Sequence, residues 1–247
     1  MSVPAAVKSE IQRVGGAFMF SREAKAFAAG TGVAEFLGPY TRGRGGVLGE
    51  VDGDVVTAAF GFFEPSTVRS AWESVPMPAA EAAAGYWAAC ADFGRRKLAG
   101  FGSADRLAEL LAVVADGADR AGVSLFAGWS ALPLAEDGPG RALQLIHCLR
   151  ELRGGLHLIA VRASGLTPLE AVLVGGSPRA DGPAQARLFG WGDRAETPVT
   201  SRMRQRWDAA EALTDTLIEP AFANLGDQPA KELVALLQEA DATVFAR

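Results

Sequence analysis

The dominant pattern along this chain is helical, with apolar residues recurring every three to four positions between polar ones. It is clearest over residues 103–121, where the capping residue Ser103 precedes one apolar stripe, formed by Leu107, Leu110, Leu111 and Val114. Thr167 and Pro168 have the form of another helix start. The same spacing predicts helices over 17–29, 65–74, 78–97, 141–153, 157–161, 196–222 with a bend near Pro220, and 229–245.

Several short segments depart from the helical spacing. Residues 55–63 are β-branched and aromatic, so they favour either a short strand or a buried helical turn. We also predict a short strand near 184–191. Glycines interrupt residues 41–46 and 175–183, and both segments predict loops. The expected fold class is therefore mainly α with short β elements.

The chain has one strong candidate for an internal linker, residues 122–139, where Gly, Pro and small residues predominate. It predicts an N-terminal helical half over 1–125 and a C-terminal helical half over 126–247. Two short motifs recur across this boundary: Ala29–Glu35 resembles Ala163–Glu170, and Ala59–Phe62 resembles Leu188–Trp191. The recurrence indicates either an internal duplication or a chance echo, and both readings stay open.

Composition and charge narrow the classes of function. The chain has 247 residues, of which 49% are apolar, and its net charge of −5 disfavours binding to nucleic-acid phosphates. Cys90 and Cys148 are too few for a disulfide framework or a cysteine-based zinc site. No signal peptide and no apolar run of membrane-spanning length is recognised, so we expect a cytoplasmic protein without membrane contact.

The segment Leu149–Val161 concentrates charged residues and a histidine between apolar runs, with a Gly-Gly break at 154–155. His157 is expected to be partly buried, where it could act as an acid or base or bond a backbone group. His147 and Glu151 are four residues apart and share a helix face. They do not match the zinc-protease pattern, so we predict no metal site. No cofactor motif is recognised either.

Two further groups are candidates for ligand contacts. Arg42 and Arg44 lie in the Gly-rich segment 41–46, where they could hold an anion or stay solvated. Aromatic residues cluster in both halves, and they fit either core packing or the walls of a pocket: Phe60, Phe62, Phe63, Phe189 and Trp191. No nucleophile elbow of the α/β-hydrolase type occurs.

Four motifs, spread over most of the chain, carry a family resemblance. They are Phe18–Ala24, Phe36–Leu48, Val56–Phe62 followed by Pro65, and Leu149–His157. By these motifs the chain resembles the SalK-like actinobacterial proteins, which are filed as a helix-turn-helix family. Two positions differ from the family's motif. Leu152 stands where the family has a histidine, and Gly155 stands where it has an aspartate.

The resemblance implies two helix-turn-helix-like halves, the second resembling a winged helix. In this chain the segment between Trp191 and Pro198 is too short for the family's recognition helix, which disfavours specific DNA binding. Three arginines that follow it could still contact phosphate: Arg202, Arg204 and Arg206.

Three hypotheses of function follow. The first is a small-molecule-binding or accessory protein of actinobacterial metabolism, with a pocket between the halves lined by Tyr40, Arg42, Arg44, Phe60, Phe62, Arg153, His157, Phe189 and Trp191. The second is a transcriptional regulator that binds DNA as a homodimer. The third is an enzyme of specialised metabolism, in which His157 is the acid or base and Arg44 or Arg153 holds an anionic substrate.

Overall fold

The computed structural model describes residues 2–177 and 180–246 and is mainly α-helical, as the periodicity predicted. Short 3₁₀ segments extend or link several α-helices. The α-helices of these ranges are α1 Val3–Ala17, α2 Arg22–Gly30, α3 Leu37–Gly45, α4 Gly53–Phe60, α5 Pro65–Glu73, α6 Ala79–Lys97, α7 Ala104–Asp116, α8 Ser124–Trp129, α9 Gly138–Ala163, α10 Pro168–Gly175, α11 Gly182–Leu188, α12 Ser201–Ile218 and α13 Asp227–Phe245.

Side-chain caps explain where many of these helices begin. The first amides of a helix have no partner within it, and an oxygen from the preceding residue can accept from them. Thr167 and Glu170 form a complete capping box at the start of α10, where the sequence predicted a helix start. Other caps precede α2, α4, α5, α9, α11 and α12; they are Ser21, Asp52, Glu64, Asp137, Asp181 and Thr200.

The predicted β elements are wrong. Most of the segment 55–63 belongs to helix α4 and its C-terminal turn, and most of 184–191 to helix α11. Asp52 and Asp181 cap these helices, and burial of Val56 and Phe60 then outweighs a weak β propensity. Within the described residues the only β pairing is an isolated bridge between Ser177 and Ala180.

The predicted loop at 41–46 is also wrong, because these residues lie in α3 and the 3₁₀ turn that follows it. Their glycines allow close packing instead of breaking the helix: Gly43 and Gly46 approach α6, and Gly45 approaches α4 and α5. A Cβ atom on Gly43 would lie 2.7 Å from the Tyr86 ring. Arg42 and Arg44, expected at a loop surface, are consequently buried.

The predicted break at Gly154–Gly155 does not occur, since α9 is continuous from Gly138 to Ala163. A Cβ atom on Gly155 would lie 2.8 Å from Val123 Cγ1, whereas one on Gly154 would meet nothing within 4 Å. Gly155 thus allows close packing against the segment before α8.

Helix α8 itself lies in the predicted linker 122–139 and buries Phe126 and Trp129. Helix α1, which the sequence analysis missed, buries Val7, Ile11 and Val14.

Helix α9 lies at the centre of the fold and packs against α1, α6, α7, α8 and α12. One large hydrophobic cluster contains residues from α1 through α13, on both sides of residue 125. The division into halves at that residue stays a prediction. Two smaller clusters are built mainly from residues 160–213. We call this segment of the chain the α10–α12 module. Phe62 contacts both smaller clusters and so joins this module to the N-terminal part of the chain.

Candidate functional site

The two recurring aromatic motifs meet in space. The rings of Phe63 and Phe189 are stacked, with centroids 3.9 Å apart. Two hydrogen bonds of 2.9 Å join the turns: Trp191 Nε1 donates to the Phe62 carbonyl, and the Glu64 amide donates to the Phe189 carbonyl. Each motif centres on a glycine with positive φ, 64° at Gly61 and 87° at Gly190. The motifs therefore form one contact between the N-terminal part and the module.

Arg42 is held entirely by neighbouring protein groups. Its Nη2 contacts both carboxylate oxygens of Glu50 at 2.8 Å, and its Nε donates to the Met77 carbonyl at 2.7 Å. The guanidinium also lies over the Trp72 ring, 4.1 Å from its centroid. These contacts give Arg42 a structural role in joining α3 to the start of α6.

Arg44 forms a buried two-point ion pair with Glu151 of α9. Arg44 Nε and Nη2 donate to the two carboxylate oxygens at 3.0 and 2.7 Å, and Nη1 donates to the Tyr40 hydroxyl at 3.2 Å. The Arg44 Cζ atom lies over the Phe60 ring, 4.5 Å from its centroid. Burial would raise the pKa of Glu151, but Arg44 and then Arg150 overcome this effect and lower it to about 2. Both partners are thus charged at neutral pH.

Further polar groups surround this pair, and sequence reasoning did not assign them to the site. Arg150 Nη1 donates to Glu151 Oε1 at 2.8 Å. His147 is fully buried, one helical turn before Glu151, and burial is the main cause that lowers its pKa to about 4. Tyr86 of α6 is also buried beside these groups. We call this set the Glu151 cluster; it contains Tyr40, Arg44, Tyr86, His147, Arg150 and Glu151.

His157 lies in a second polar group, with its ring between Phe62 and Trp207. Its Nδ1 is 2.9 Å from Thr214 Oγ1, and that hydroxyl donates to the Ala210 carbonyl at 2.7 Å. Thr214 must therefore accept from His157, which places the imidazole proton on Nδ1. Burial lowers the pKa of His157 to about 4, although nearby Glu211 opposes the change. The ring is neutral at pH 7.

Arg153 belongs to the same group as His157. Its Nη2 donates to Glu211 Oε2 at 3.0 Å, and Lys8 of α1 contacts both Glu211 and Asp215. We call this set the Glu211 cluster; it contains Lys8, Arg153, His157, Glu211, Thr214 and Asp215. Sequence reasoning missed Thr214 and both carboxylates, whose only signal is an i, i+3 and i+4 spacing on α12.

The residues predicted to line one pocket thus do not share one site. Tyr40 and Arg44 belong to the Glu151 cluster and Arg153 and His157 to the Glu211 cluster, whereas Arg42 belongs to neither. The turn 60–63 lies between the two clusters, with Phe60 against Arg44 and Phe62 against His157. Each of the five charged or titratable candidates already has a protein partner. A ligand role for these residues stays a prediction. In the described ranges, no three His, Cys, Asp or Glu side chains are grouped so that they could hold a metal.

The α10–α12 module differs from the rest of the protein in its arginines. Five of them have no carboxylate partner in the part of the chain that the structure describes: Arg162, Arg194, Arg202, Arg204 and Arg206. Arg206 Nη1 donates instead to the Gly165 carbonyl at 2.7 Å, which places it beside the end of α9 and the exposed Arg162. By contrast, exposed arginines elsewhere mostly pair with carboxylates, as Arg13, Arg69, Arg95 and Arg106 do; Arg120 is an exception.

Consecutive helices in contact, separated by short segments, occur in both parts of the described chain. In the N-terminal part these are α4 and α5, with residues 61–64 between them; in the module they are α10 and α11, with residues 176–181 between them. Among the described residues no single helix is long and apolar enough to cross a membrane. Only α9 and α10, taken as a pair bent by 111°, reach that length and composition.

Comparison with known proteins agrees with this architecture. The sequence profile described as helix-turn-helix family matches residues 5–247. The chain therefore belongs to the helix-turn-helix family. No curated protein and no solved structure matches it.

Proposed function

We propose that this protein binds duplex DNA, mainly through phosphate contacts from the α10–α12 module. The observation that carries the proposal is the set of five arginines that have no carboxylate partner among the described residues, on a module in which the consecutive helices α10 and α11 are in contact. Arginine binds phosphate well because its planar fork presents several donors at once. A positively charged face can bind DNA locally even when the whole chain has a net charge of −5.

Base reading makes a small contribution under this proposal. Helix α11, in the position of a second helix, has seven residues and fully exposes only Arg187 and Leu188 of them. Arg187 already pairs with Glu196. Sequence recognition needs several side chains that reach base edges, whereas phosphate contacts need only accessible cations. This agrees with the sequence-based expectation that specific DNA binding is weak.

The experiment is a fluorescence-anisotropy titration of a labelled 20-base-pair duplex at several salt concentrations. The double variant Arg202→Gln/Arg204→Gln is compared with the control Lys25→Gln/Lys231→Gln, whose lysines are exposed and lie outside the module. Loss of two phosphate contacts lowers the magnitude of the slope of log affinity against log salt by about 1.8. The control retains the wild-type slope. Absence of binding at low salt, or equal slopes for both variants, overturns the proposal.

The small-molecule-binding hypothesis and the enzyme hypothesis stay predictions. A role in actinobacterial metabolism, SalK-like or otherwise, rests on the motif resemblance alone. The enzyme hypothesis gains one specific expectation, because an Nδ1–H imidazole leaves Nε2 of His157 as the basic nitrogen. No second function is proposed, since Arg44 and Arg153 would first have to leave their carboxylate partners to hold a substrate.

A further inference from the structure

The Glu151 cluster has an excess positive charge. Two guanidinium groups, Arg44 and Arg150, share the single carboxylate of Glu151. Neutral His147 adds no charge, since its pKa lies well below 7. In the Glu211 cluster, by comparison, the cations Lys8 and Arg153 face the anions Glu211 and Asp215, so that its charges balance. The side chain of Arg150 is only 21% exposed, so water hydrates its charge incompletely, and a counter-ion that enters from the exposed side reduces that cost.

The same cluster contains buried polar atoms without a hydrogen-bond partner among the described residues. They include Arg150 Nε and Tyr86 Oη, together with Trp129 Nε1 beside the His147 ring. In the described ranges both ring nitrogens of His147 also lack a partner at hydrogen-bonding geometry, although the Gly15 backbone lies close enough to raise the pKa of the ring. Buried polar atoms in folded proteins are nearly always paired. Arg150, Tyr86, Trp129 and one His147 nitrogen each bring a hydrogen to donate, so the unpaired set is rich in donors.

These groups lie within reach of one another. The centroids of the His147 and Trp129 rings are 5.2 Å apart, and those of His147 and Tyr86 are 6.5 Å apart. Burial raises the pKa of Tyr86. The positive charges of Arg44 and Arg150 oppose that rise, so both guanidinium groups interact electrostatically with the phenol. The opposite wall is the end of α1, where a Cβ atom on Gly16 would lie 3.3 Å from Arg150 Nε. Glycine at this position allows the Arg150 side chain to pack directly against the end of α1.

We propose that the Glu151 cluster binds one small monovalent anion of the halide class. Arg150 Nε, the Tyr86 hydroxyl and a His147 N–H are its donors, and the anion balances the second guanidinium. Water could satisfy some of the same donors, but it would leave the excess charge in place. Phe18, Tyr86 and Trp129 pack their rings around His147, which favours a single compact ion over a larger carboxylate or phosphate. This proposal does not depend on the DNA proposal.

The first test is thermal denaturation at constant ionic strength, in which sodium gluconate is replaced stepwise by sodium chloride or bromide. An ion that binds only the folded state raises Tm with the logarithm of its concentration above Kd, here by about 2–5 °C over the titration. Arg150→Gln removes the excess charge and one donor, so this variant loses the halide-dependent rise. The control Arg162→Gln lies on the same helix at an exposed position and retains it. Equal responses in the wild type and Arg150→Gln overturn the proposal.

The second test keeps the proposal falsifiable if Arg150→Gln does not fold. Crystals of the wild-type protein grown in bromide are measured at the bromine absorption edge. We expect an anomalous difference peak beside Arg150 Nε and the Tyr86 hydroxyl. Density there without an anomalous signal identifies water and overturns the proposal. A peak together with a Tm that does not respond to halide means binding at crystal concentration only, and this also overturns it.

Discussion

Burial and pairing determine how much an arginine contributes to the stability of this protein. Arg44 and its partner Glu151 are both buried, whereas the side chains of Arg69 and Asp54 form an ion pair with 44% and 69% exposure. Water screens the exposed pair and can solvate either charge if the partner is removed. The buried charges have no such alternative, so the two pairs are expected to respond differently to the same substitution.

The expected result is a large loss of stability for Arg44→Met and a small one for Arg69→Met. Removing Arg44 leaves Glu151 with only Arg150, and losing one partner of a buried pair costs about 3–5 kcal/mol. The Arg69 substitution has only a small effect on stability, because both charges of that pair are solvated. Urea denaturation of both variants measures the difference. Equal losses would show that the Arg44–Glu151 pair is not buried as described.

The two histidines make stability depend on pH. Burial lowers the pKa of His147 and of His157 to about 4, while an imidazole in the unfolded chain titrates near 6.5. Between these values the unfolded state binds more protons than the folded state, so the free energy of unfolding falls as pH drops from 6.5 to 4. The loss is on the order of 3 kcal/mol for each histidine at the lower end.

Urea denaturation at pH 7, 6 and 5 measures this dependence. His157→Gln replaces the titrating ring with a neutral side chain that can still donate to Thr214. We expect this variant to lose about half of the pH dependence between pH 7 and 5. Stability that does not change over this range in the wild type would contradict the assignment of both rings as buried and neutral.

At the scale of elements, helix α9 contains two adjacent glycines in different environments. Gly154 has open space around it, and Gly155 packs against Val123. Glycine in a helix interior costs about 0.5–1 kcal/mol relative to alanine because the unfolded chain has more freedom. Whether that cost can be removed by substitution depends on the space beside each position.

Gly154→Ala is therefore expected to stabilise the protein by about 0.5–1 kcal/mol. Gly155→Ala is not expected to stabilise it, because its Cβ atom would lie only 2.8 Å from Val123 Cγ1 and α8 would have to shift. Thermal melts of the two single variants provide a matched comparison. A stabilising Gly155→Ala would mean that the segment before α8 is not packed on α9 as described.

At the scale of the whole molecule, one large hydrophobic cluster coexists with the two small clusters of the α10–α12 module. A small cluster buries less apolar area and opens at lower free energy than a large one. The module is therefore expected to open locally while the rest of the fold stays intact. Phe62 is the side chain whose loss is expected to favour this opening, because it contacts both small clusters.

Hydrogen exchange with mass spectrometry tests this expectation. Amides of α10 and α11 should exchange faster than those of α6 and α7. Phe62→Ala should accelerate exchange in α10 and α11 selectively, by about ten- to a hundred-fold, if it lowers the free energy of local opening by roughly 1–3 kcal/mol. Phe36→Ala is the control, since Phe36 is half exposed and lies outside the module. Uniform acceleration in all helices by Phe62→Ala would show that the module does not open on its own.

Local sequence information determined most of the helices. The apolar stripe through Leu107 and Leu111 and the cap at Thr167 act over one or two turns, so both could be recognised without any knowledge of the fold. Glycines are ambiguous for a related reason. A glycine at position 43 or 155 indicates a loop or a break on local grounds, but Gly43 allows α3 to approach α6 and Gly155 allows α9 to pack against the segment before α8.

Only the tertiary structure decided the partners of the polar residues. The sequence identified Arg44, Arg153 and His157 as unusual, but their partners Glu151, Glu211 and Thr214 lie 107, 58 and 57 residues away. Periodicity is a property of neighbouring residues, whereas an ion pair depends on how distant helices pack. The sequence by itself therefore determined the helical class and the residues that need partners. The packing around α9 decided which partner each residue has, because burial makes pairing obligatory without specifying the pair.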